Sequence, residues 1–489
     1  MYRNTLDQST IEEIRVIRKV LEVNSNPAVT DIAALTSGGA LSRQFLDGEM
    51  VSIVESDVNF RFLKETPTRS VDQTLAEYTK NLSHGAGRHY GSSFIGQSDN
   101  PKLADAQLKR FYDEMCYLSE GGVFSKASTL VKNIQDPEIV QTNAATMRLM
   151  RNLAISMWHG NKDTNMFEFN GFKTKIESEN PEFVFDCRGN LPTVDVISDF
   201  AARISTKWFG TANKIWVSPG TRNLINNTYQ SSGNVMVWQN NSQNPGNINL
   251  GNIVKAYQVS EAYNGELLIC SDIWTSRADM DVPKIPSPTN PQLEIEGATG
   301  PDAPHAPTFT VSPLPVTSNS LFDSAYAGNT KYRVAAMAKG ESSIAAPASS
   351  GTNIIVGGGA TITITPAVTG TPAEAFRLYR ETKPGSGIFR WFKDIKNNAP
   401  LTPTTIYNDL NADIPGTSIG VMGDFNTVSN SDINRTYILS ELMPLLKTTY
   451  PYGVGGTTVK QQLLALDYFC VLQIFAIEKF VLFKNMPVS

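Results

Sequence analysis

Asn213-Lys214-Ile215-Trp216-Val217-Ser218-Pro219-Gly220 opens a stretch, running to Trp274, whose reading decides the fold. The β-branched and aromatic run predicts a short strand that stops at Ser218. Ser as N-cap with Pro at the first helical position starts a helix, because proline lacks a donor that would be orphaned there anyway. That helix runs through Leu224 and Ile225. After a Gly/Asn/Gln-rich excursion from Ser231 to Gly251 come two further strand-like runs, Ile253 to Val259 and Glu266 to Cys270. Asn264-Gly265 between them suits a tight reversal, since both residues tolerate positive φ. Nothing in the stretch carries catalytic chemistry.

Working outward, Thr193 caps a preceding helix whose apolar face is Ile197, Phe200, Ala201, Ile204 and Trp208. Helix, strand and helix in such close succession predict an α+β domain with a sheet against helices. Upstream, Asp136-Pro137-Glu138 supplies an N-cap, a first-turn proline and a first-turn acid for the longest helix, residues 136–160. Its expected stripe is Val140, Ala144, Met147, Met150, Ala154 and Met157, with the methionines read as core filler. Glu168-Phe169-Asn170-Gly171-Phe172 follows.

This order of elements resembles the major capsid proteins of tailed bacteriophages of the Hong Kong 97 type. In that family a strand ending in Ser-Pro leads into a helix, then a Gly-x-x-Val-x-x-Tyr strand and a hairpin. The matching residues are Ser218, Pro219, Gly251, Val254 and Tyr257, with Phe169, Gly171 and Phe172 matching a segment just beyond the family's spine helix. The resemblance implies an N-terminal arm (residues 1–48) and a capsid body (49–300) with an extended loop at about 57–116, a spine helix at about 136–160 and an axial part from about 190. The body would return at residues 418–489. It also implies a subunit that associates with itself as hexamers and pentamers of an icosahedral shell. Scaffolding, portal and decoration proteins are further expected partners, and packaged double-stranded DNA would be touched only weakly.

The N-terminal part fits an arm. Thr10-Ile11-Glu12-Glu13 is a capping box before an apolar stripe, and residues 24–48 have no core of their own. Alternation from Met50 to Lys64 predicts a strand. From Glu65 to Lys102 the aliphatic supply falls to Val71, Leu75, Leu82 and Ile95, too little to offset the ordering entropy of the segment alone. A two-stranded ribbon stabilised by neighbours is expected there. Its basic residues, Arg69, Lys80, His84 and Arg88, are the candidate intersubunit contacts. His84 and His89 lack an acidic or cysteine companion and read as loop histidines rather than a metal pair.

Downstream, nine of the 27 prolines fall between Pro283 and Pro315, which reads as a linker and domain boundary. Short strands with turns between them then predict an all-β sandwich inserted at residues 301–417: Thr330 to Met337, Asn353 to Val356, Thr361 to Thr365, Ala375 to Arg380 and Ile388 to Lys393. The segments Tyr332-Arg333-Val334-Ala335-Ala336, Phe376-Arg377-Leu378-Tyr379-Arg380 and Tyr407-Asn408-Asp409 resemble a fibronectin type III or immunoglobulin-like module. Such a module would project outward and could touch a host surface or glycan through Trp391 or Phe392. Beyond it, a helix is expected over Asn434 to Lys447 and paired strands over Leu463 to Phe483. Asp467, Glu478 and Lys479 in the last segment argue against a membrane span, at about 2.5–3.5 kcal/mol per ionisable group.

Composition narrows the function. Net charge −5 and a pI near 5.6 argue against a chain that grips nucleic acid through a basic face. Four cysteines, Cys116, Cys187, Cys270 and Cys470, show no metal or redox spacing and read as buried thiols in a reducing compartment. The N-terminus lacks an apolar secretory segment. Four histidines and no nucleophile elbow, zinc-protease motif or phosphate loop leave no constellation for catalysis, and no cofactor or metal is expected. Gly453-Val454-Gly455-Gly456 lacks the Lys-Ser/Thr of a phosphate loop. A glycoside hydrolase with a fibronectin-like module and a tail or surface adhesin with a carbohydrate-binding sandwich are the competing readings. A shell subunit in the virion, assembled in the host cytoplasm, accounts for the arm, ribbon and α+β body together.

Overall fold

The computed structural model describes residues 57–84, 94–98, 100, 105–130, 136–231, 256–259, 265–276, 282–287, 289, 293–398, 403–425, 435–451 and 460–488. The expected arm, the capping box at Thr10, Gly251, Val254, Asn264, Arg88, His89 and Gly453 to Gly456 lie outside them. The chain divides into two compact units, Met1–Val54 with Lys126–Val140 and Glu55–Ser125 with Gln141–Ser489. In the first, the described part holds a short helix, Lys126–Leu130, and the start of a long one. There Asp136 receives the Glu138 amide on its side chain at 3.0 Å, as an N-cap should.

The second unit opens with a single 3-10 turn, Asp57–Asn59, and helix α1, Arg61–Glu65, where alternation had predicted a strand. Phe60 and Phe62 are both buried, which is why the pattern looked strand-like. As a helix, the segment drives Phe62 into a cluster of rings from Trp158, Phe172, Trp216, Phe425 and Tyr437. Strands β1 (Thr68–Ser70), β2 (Leu75–Ser83), β3 (Gln107–Glu114) and β4 (Cys116–Ser125) follow. β2 and β3 form the expected antiparallel ribbon.

Helix α2, Pro137–His159, matches the predicted span, but its buried line is Ala145, Leu149, Leu153 and Met157 with Ala154 and Trp158. Ala144 is exposed and Met147 and Met150 are only half-buried. The helix is apolar round much of its circumference, so two stripes obey the same spacing, and packing selects the one carrying the leucines and Trp158. A Cβ on Gly171 would meet the Ser156 carbonyl at 2.4 Å, so glycine lets the chain fold back on the helix end. Phe169 and Phe172 then enter the core.

Helix α3 (Phe172–Glu179) and strand β5 (Val184–Asp186) lead to α4 (Val194–Trp208), capped by Thr193 as expected. Its face buries Ile197, Phe200, Ala201 and Ile204, while Trp208 remains exposed. Then come β6 (Lys214–Val217), α5 (Pro219–Ser231), β7 (Ala256–Gln258) and β8 (Glu266–Ser271). Ser218 caps α5, accepting the Thr221 amide at 3.2 Å. The proline-rich stretch is more ordered than a linker: β9 (Lys284–Pro286) and β10 (Glu294–Glu296) pair antiparallel.

Residues 308–409 carry strands β11 (Thr308–Leu314), β12 (Gly328–Thr330), β13 (Tyr332–Ala338), β14 (Glu341–Ser342), β15 (Thr352–Ile354), β16 (Gly359–Thr365), β17 (Ala375–Glu381), β18 (Phe389–Lys396) and β19 (Thr405–Asp409). They form sheets of order β11-β16-β19 and β14-β13-β17-β18, with a β12-β15 pair. Alternate residues from both larger sheets, among them Tyr332, Val334, Ile362, Ile364, Phe376, Leu378 and Phe392, share one core. Inside it Arg380 binds Asp409 at 2.6 Å, and the Tyr332 hydroxyl donates to the same carboxylate at 2.8 Å.

The chain then rejoins the earlier strands. β20 (Ser418–Gly423), β21 (Tyr437–Tyr450), β22 (Gln461–Ile474) and β23 (Phe480–Met486) complete two sheets, of order β5-β23-β20-β6-β8-β7 and β1-β21-β22-β4. The six-stranded sheet is covered on both faces. Ile215, Val217, Met422, Val481 and Phe483 meet α4 on one face, and Trp216, Val421, Phe480 and Leu482 join the core of α2 and α3 on the other. That is why β20 and β23 read as nearly continuous apolar runs.

The helix expected over Asn434 to Lys447 is the strand β21 instead. Its Pro444 lies within the register shift at Met443/Leu446, just after another at Glu441/Met443, where an irregular strand tolerates a missing donor. Leu463 to Phe483 does hold two strands, but β22 pairs with β21 and β4 whereas β23 pairs with β20 and β5. No helix among the described residues is long and apolar enough to cross a membrane.

Candidate functional site

The ribbon has two unlike faces, because successive strand residues point to opposite sides. Ala76, Tyr78 and Lys80 with Phe111 and Asp113 face the ribbon's own unit. The Gln473 amide donates to the Ala76 carbonyl at 2.8 Å, the Tyr78 ring meets Phe475 edge-on at 5.0 Å, and Lys175 reaches Asp113 at 2.9 Å. Support for the ribbon's inner face therefore comes from its own chain, from β22, the turn after it and α3. Burial, with nearby carboxylates led by Asp113, pushes the Tyr78 hydroxyl well above its ordinary pKa.

The opposite face holds Leu75, Glu77, Thr79 and Asn81 beside Leu108, Arg110 and Tyr112. Leu108 and Tyr112 are each 65% exposed, and Phe94 beyond the strands is 80% exposed. Apolar side chains of that size on a ribbon face are a surface suited to contact with another molecule. Composition hinted at the ribbon, but the sidedness needed the register.

Of the four candidate contacts, Arg69 donates to the Gln473 side chain at 3.0 Å, from β1. Lys80 reaches Glu478 at 3.3 Å and sits over the Phe111 ring at 4.9 Å. Both are thus turned toward their own chain. His84 lies at the end of the described ribbon, 3.4 Å from the Asn81 side-chain nitrogen, and Arg88 lies outside the described residues.

A second polar locus lies where β17 and β18 meet α2 and α3. A small cavity there is lined by His159, Glu168, Lys173, Arg377, Trp391 and Asp394, among others. Burial raises the Glu168 carboxyl above its ordinary pKa against a hydrogen bond from Ser156. Arg377 holds Asp394 through two bonds of 2.9 and 2.8 Å and stacks on Trp391 at 4.4 Å. Trp391 is 7% exposed and Phe392 is fully buried, so neither residue is available to stack on a glycan. The four-stranded sheet accordingly has its outer face covered at this seam rather than standing clear of it. Below the seam Asp413 accepts from Lys173 at 3.0 Å and Lys393 at 3.4 Å, with Lys484 at 3.6 Å.

A third locus is Asp272, which accepts the Phe62 amide at 3.1 Å and the Trp274 amide at 2.9 Å, tying α1 to the end of β8. Burial pushes its carboxyl up to about 6, against those two hydrogen bonds. Among the described residues no group of three or more His, Cys, Asp or Glu side chains is placed to hold a metal ion.

No protein-family model matches the chain. In sequence it is 24% identical over 268 residues to the major capsid protein of Staphylococcus phage K, a match covering 53% of this chain and 56% of the relative. The major capsid protein of Staphylococcus phage S25-3 matches at the same identity and coverage. The chain thus spans little more than half the length of the curated relatives it matches. Among solved structures, the capsid of a native GTA particle aligns with 94% of this chain and 100% of its own at a TM-score of 0.44 and 10% identity. The Gordonia phage Cozz structure aligns over 95% and 98% at 0.45 and 9%. The chain is therefore similar in sequence, over about half its length, to phage major capsid proteins.

Proposed function

We propose that the chain is a major capsid protein, a structural subunit that assembles with copies of itself into the icosahedral head shell around a phage genome. The observation that carries this reading is the sequence similarity to the major capsid protein of Staphylococcus phage K. The body takes the Hong Kong 97-type arrangement, with residues 1–48 as arm, 49–300 and 418–489 as body and 301–417 as an inserted fibronectin-like sandwich. The subunit works by geometry and not by catalysis. Each copy presents the exposed face of the β2-β3 ribbon to a neighbour in hexamers and pentamers, and many modest contacts sum to a stable shell. Arg69 and Lys80 stiffen the ribbon from its inner side, while His84, at the end of the described ribbon, and Arg88 contribute polar contacts to the neighbour. Scaffolding, portal and decoration proteins are the further partners, packaged DNA is touched weakly, and the protein resides in the virion after assembly in the host cytoplasm.

Electron microscopy and light scattering on the full chain, alone and co-expressed with the other head proteins of its phage, test the reading. Closed shells or rings of regular subunits are expected. A chain that remains monomeric under both conditions overturns it.

A further inference from the structure

Cys116 and Cys470, 354 positions apart in sequence, are direct cross-strand partners in the antiparallel pairing of β4 with β22. We infer that they form a redox-modifiable pair that a low-molecular-weight disulfide, such as oxidised glutathione, converts into a cross-strand disulfide. The inference stands apart from the assembly reading and holds for the subunit itself.

Three features carry it. Directly opposed residues of an antiparallel pair have Cβ atoms about 4.5–5.5 Å apart, against about 3.5–4.5 Å in a disulfide, so a small contraction suffices. Both side chains belong to the same core cluster, so they share one face of the sheet. The adjacent pair, Tyr117 and Phe469, is in ring contact at 4.8 Å, which fixes the register at this end. Among the described strands β4 is the outer one of its sheet, and Cys116 is 9% exposed where Cys470 is fully buried. Cys116 is therefore the thiol that meets the oxidant first.

The exchange balances without other reactants. The Cys116 thiolate attacks one sulfur of oxidised glutathione and expels one glutathione thiolate. The Cys470 thiolate then attacks the Cys116 sulfur and expels the second. Two protein thiols are oxidised, one small disulfide is reduced to two thiols, and the protons pass to the leaving thiolates or solvent. Burial, with the Glu168 carboxylate adding to it, pushes the Cys116 thiol up to about 11, so the reaction accelerates as pH rises toward that value. The bond would pin β4 to β22 two residues after the end of β3, where the ribbon enters the four-stranded sheet.

The test incubates the native full-length chain with oxidised glutathione at alkaline pH, blocks free thiols, digests without reductant and maps the peptides. The same is done with the Cys187→Ser/Cys270→Ser variant, which retains only this pair. Expected is a peptide joining 116 and 470, lighter by two hydrogens than the separate peptides, lost on adding dithiothreitol and absent from Cys116→Ser. A lasting glutathione adduct on Cys116 with Cys470 still free, or recovery of both thiols unmodified, overturns the inference.

Discussion

Lys80 on the ribbon and Glu478 in the turn before β23 lie 3.3 Å apart, although 398 positions separate them in sequence. The Lys80 side chain is only 11% exposed, and its stem covers the Phe111 ring. The pair thus fixes the ribbon against its own unit through a charge and an apolar stem together. Lys80→Met keeps the stem and removes the charge, and is expected to lower unfolding stability by roughly 1 kcal/mol or less. Lys80→Ala should cost more, because packing over Phe111 is lost as well. Urea unfolding of both variants, of Glu478→Gln and of the Lys80→Met/Glu478→Gln double variant, combined as a double-mutant cycle, checks this, and zero coupling would remove the pair's structural role.

The outer ribbon face makes the opposite demand. Leu108 and Tyr112 are exposed, so replacing them leaves the subunit's core untouched. Leu108→Asp and Tyr112→Asp are expected to change the urea midpoint little, since surface substitutions usually stay within about 0.5 kcal/mol. Both should nevertheless reduce shell yield at least tenfold by placing charge in an apolar contact. Shells at wild-type yield from both variants would show that this face is not the contact.

What was legible in the sequence was local. Ser218 and Thr193 announce their helices because a cap is a matter of neighbouring residues, and Asp136-Pro137-Glu138 does the same for α2. Poverty in aliphatic residues pointed to the ribbon. Illegible were decisions made by distant partners. Residues 437–450 look helical by their leucine and methionine spacing but are a strand, because β22 and β1 flank them. Alternating Phe60 and Phe62 looked like a strand, yet the ring cluster and the Asp272 carboxylate hold a helix there. The inner support of the ribbon arrives from residues 473–478, and Cys116 meets Cys470, by the same long-range pairing. Of the candidate site, the segment was readable and the useful face was not.

Asp272 makes the fold pH-sensitive in a direction opposite to most carboxylates. Its carboxyl is raised from 3.8 to about 6 by burial, so the folded chain holds this proton more tightly than the unfolded chain does. The stability it confers is fully present below about pH 4 and is lost as pH rises through about 6, after which the contribution is flat. Asp272→Asn cannot ionise and lacks this term. Between pH 4 and 7 the wild-type urea midpoint should fall relative to that of Asp272→Asn, while other titrating groups cancel in the difference. Parallel midpoints across the range would exclude Asp272 as the source.

Asp413 decides how separable residues 308–409 are from the rest. Its side chain is 2% exposed and is approached by Lys173 from α3, Lys393 from β18 and Lys484 from β23. The segment around it is held further by Asn485, whose side chain accepts the Ile414 amide at 2.8 Å and donates to the Ala412 carbonyl at 2.9 Å. Removing one partner of a buried ion pair leaves an uncompensated charge and costs about 3–5 kcal/mol. Asp413→Asn is therefore expected to destabilise, by less than that full cost, because the Glu177 carboxylate still faces Lys173 and Lys484. Joining the chain by a Gly/Ser link across residues 304–416 removes Asp413 too, and should yield a poorly soluble product. The same deletion with Lys173→Met, which removes the lysine that Asp413 paired with, should recover folded protein measurable by circular dichroism and a cooperative melt. If the first deletion already folds as well as the second, the lysines are solvated once the strands are gone, and Asp413 is no anchor.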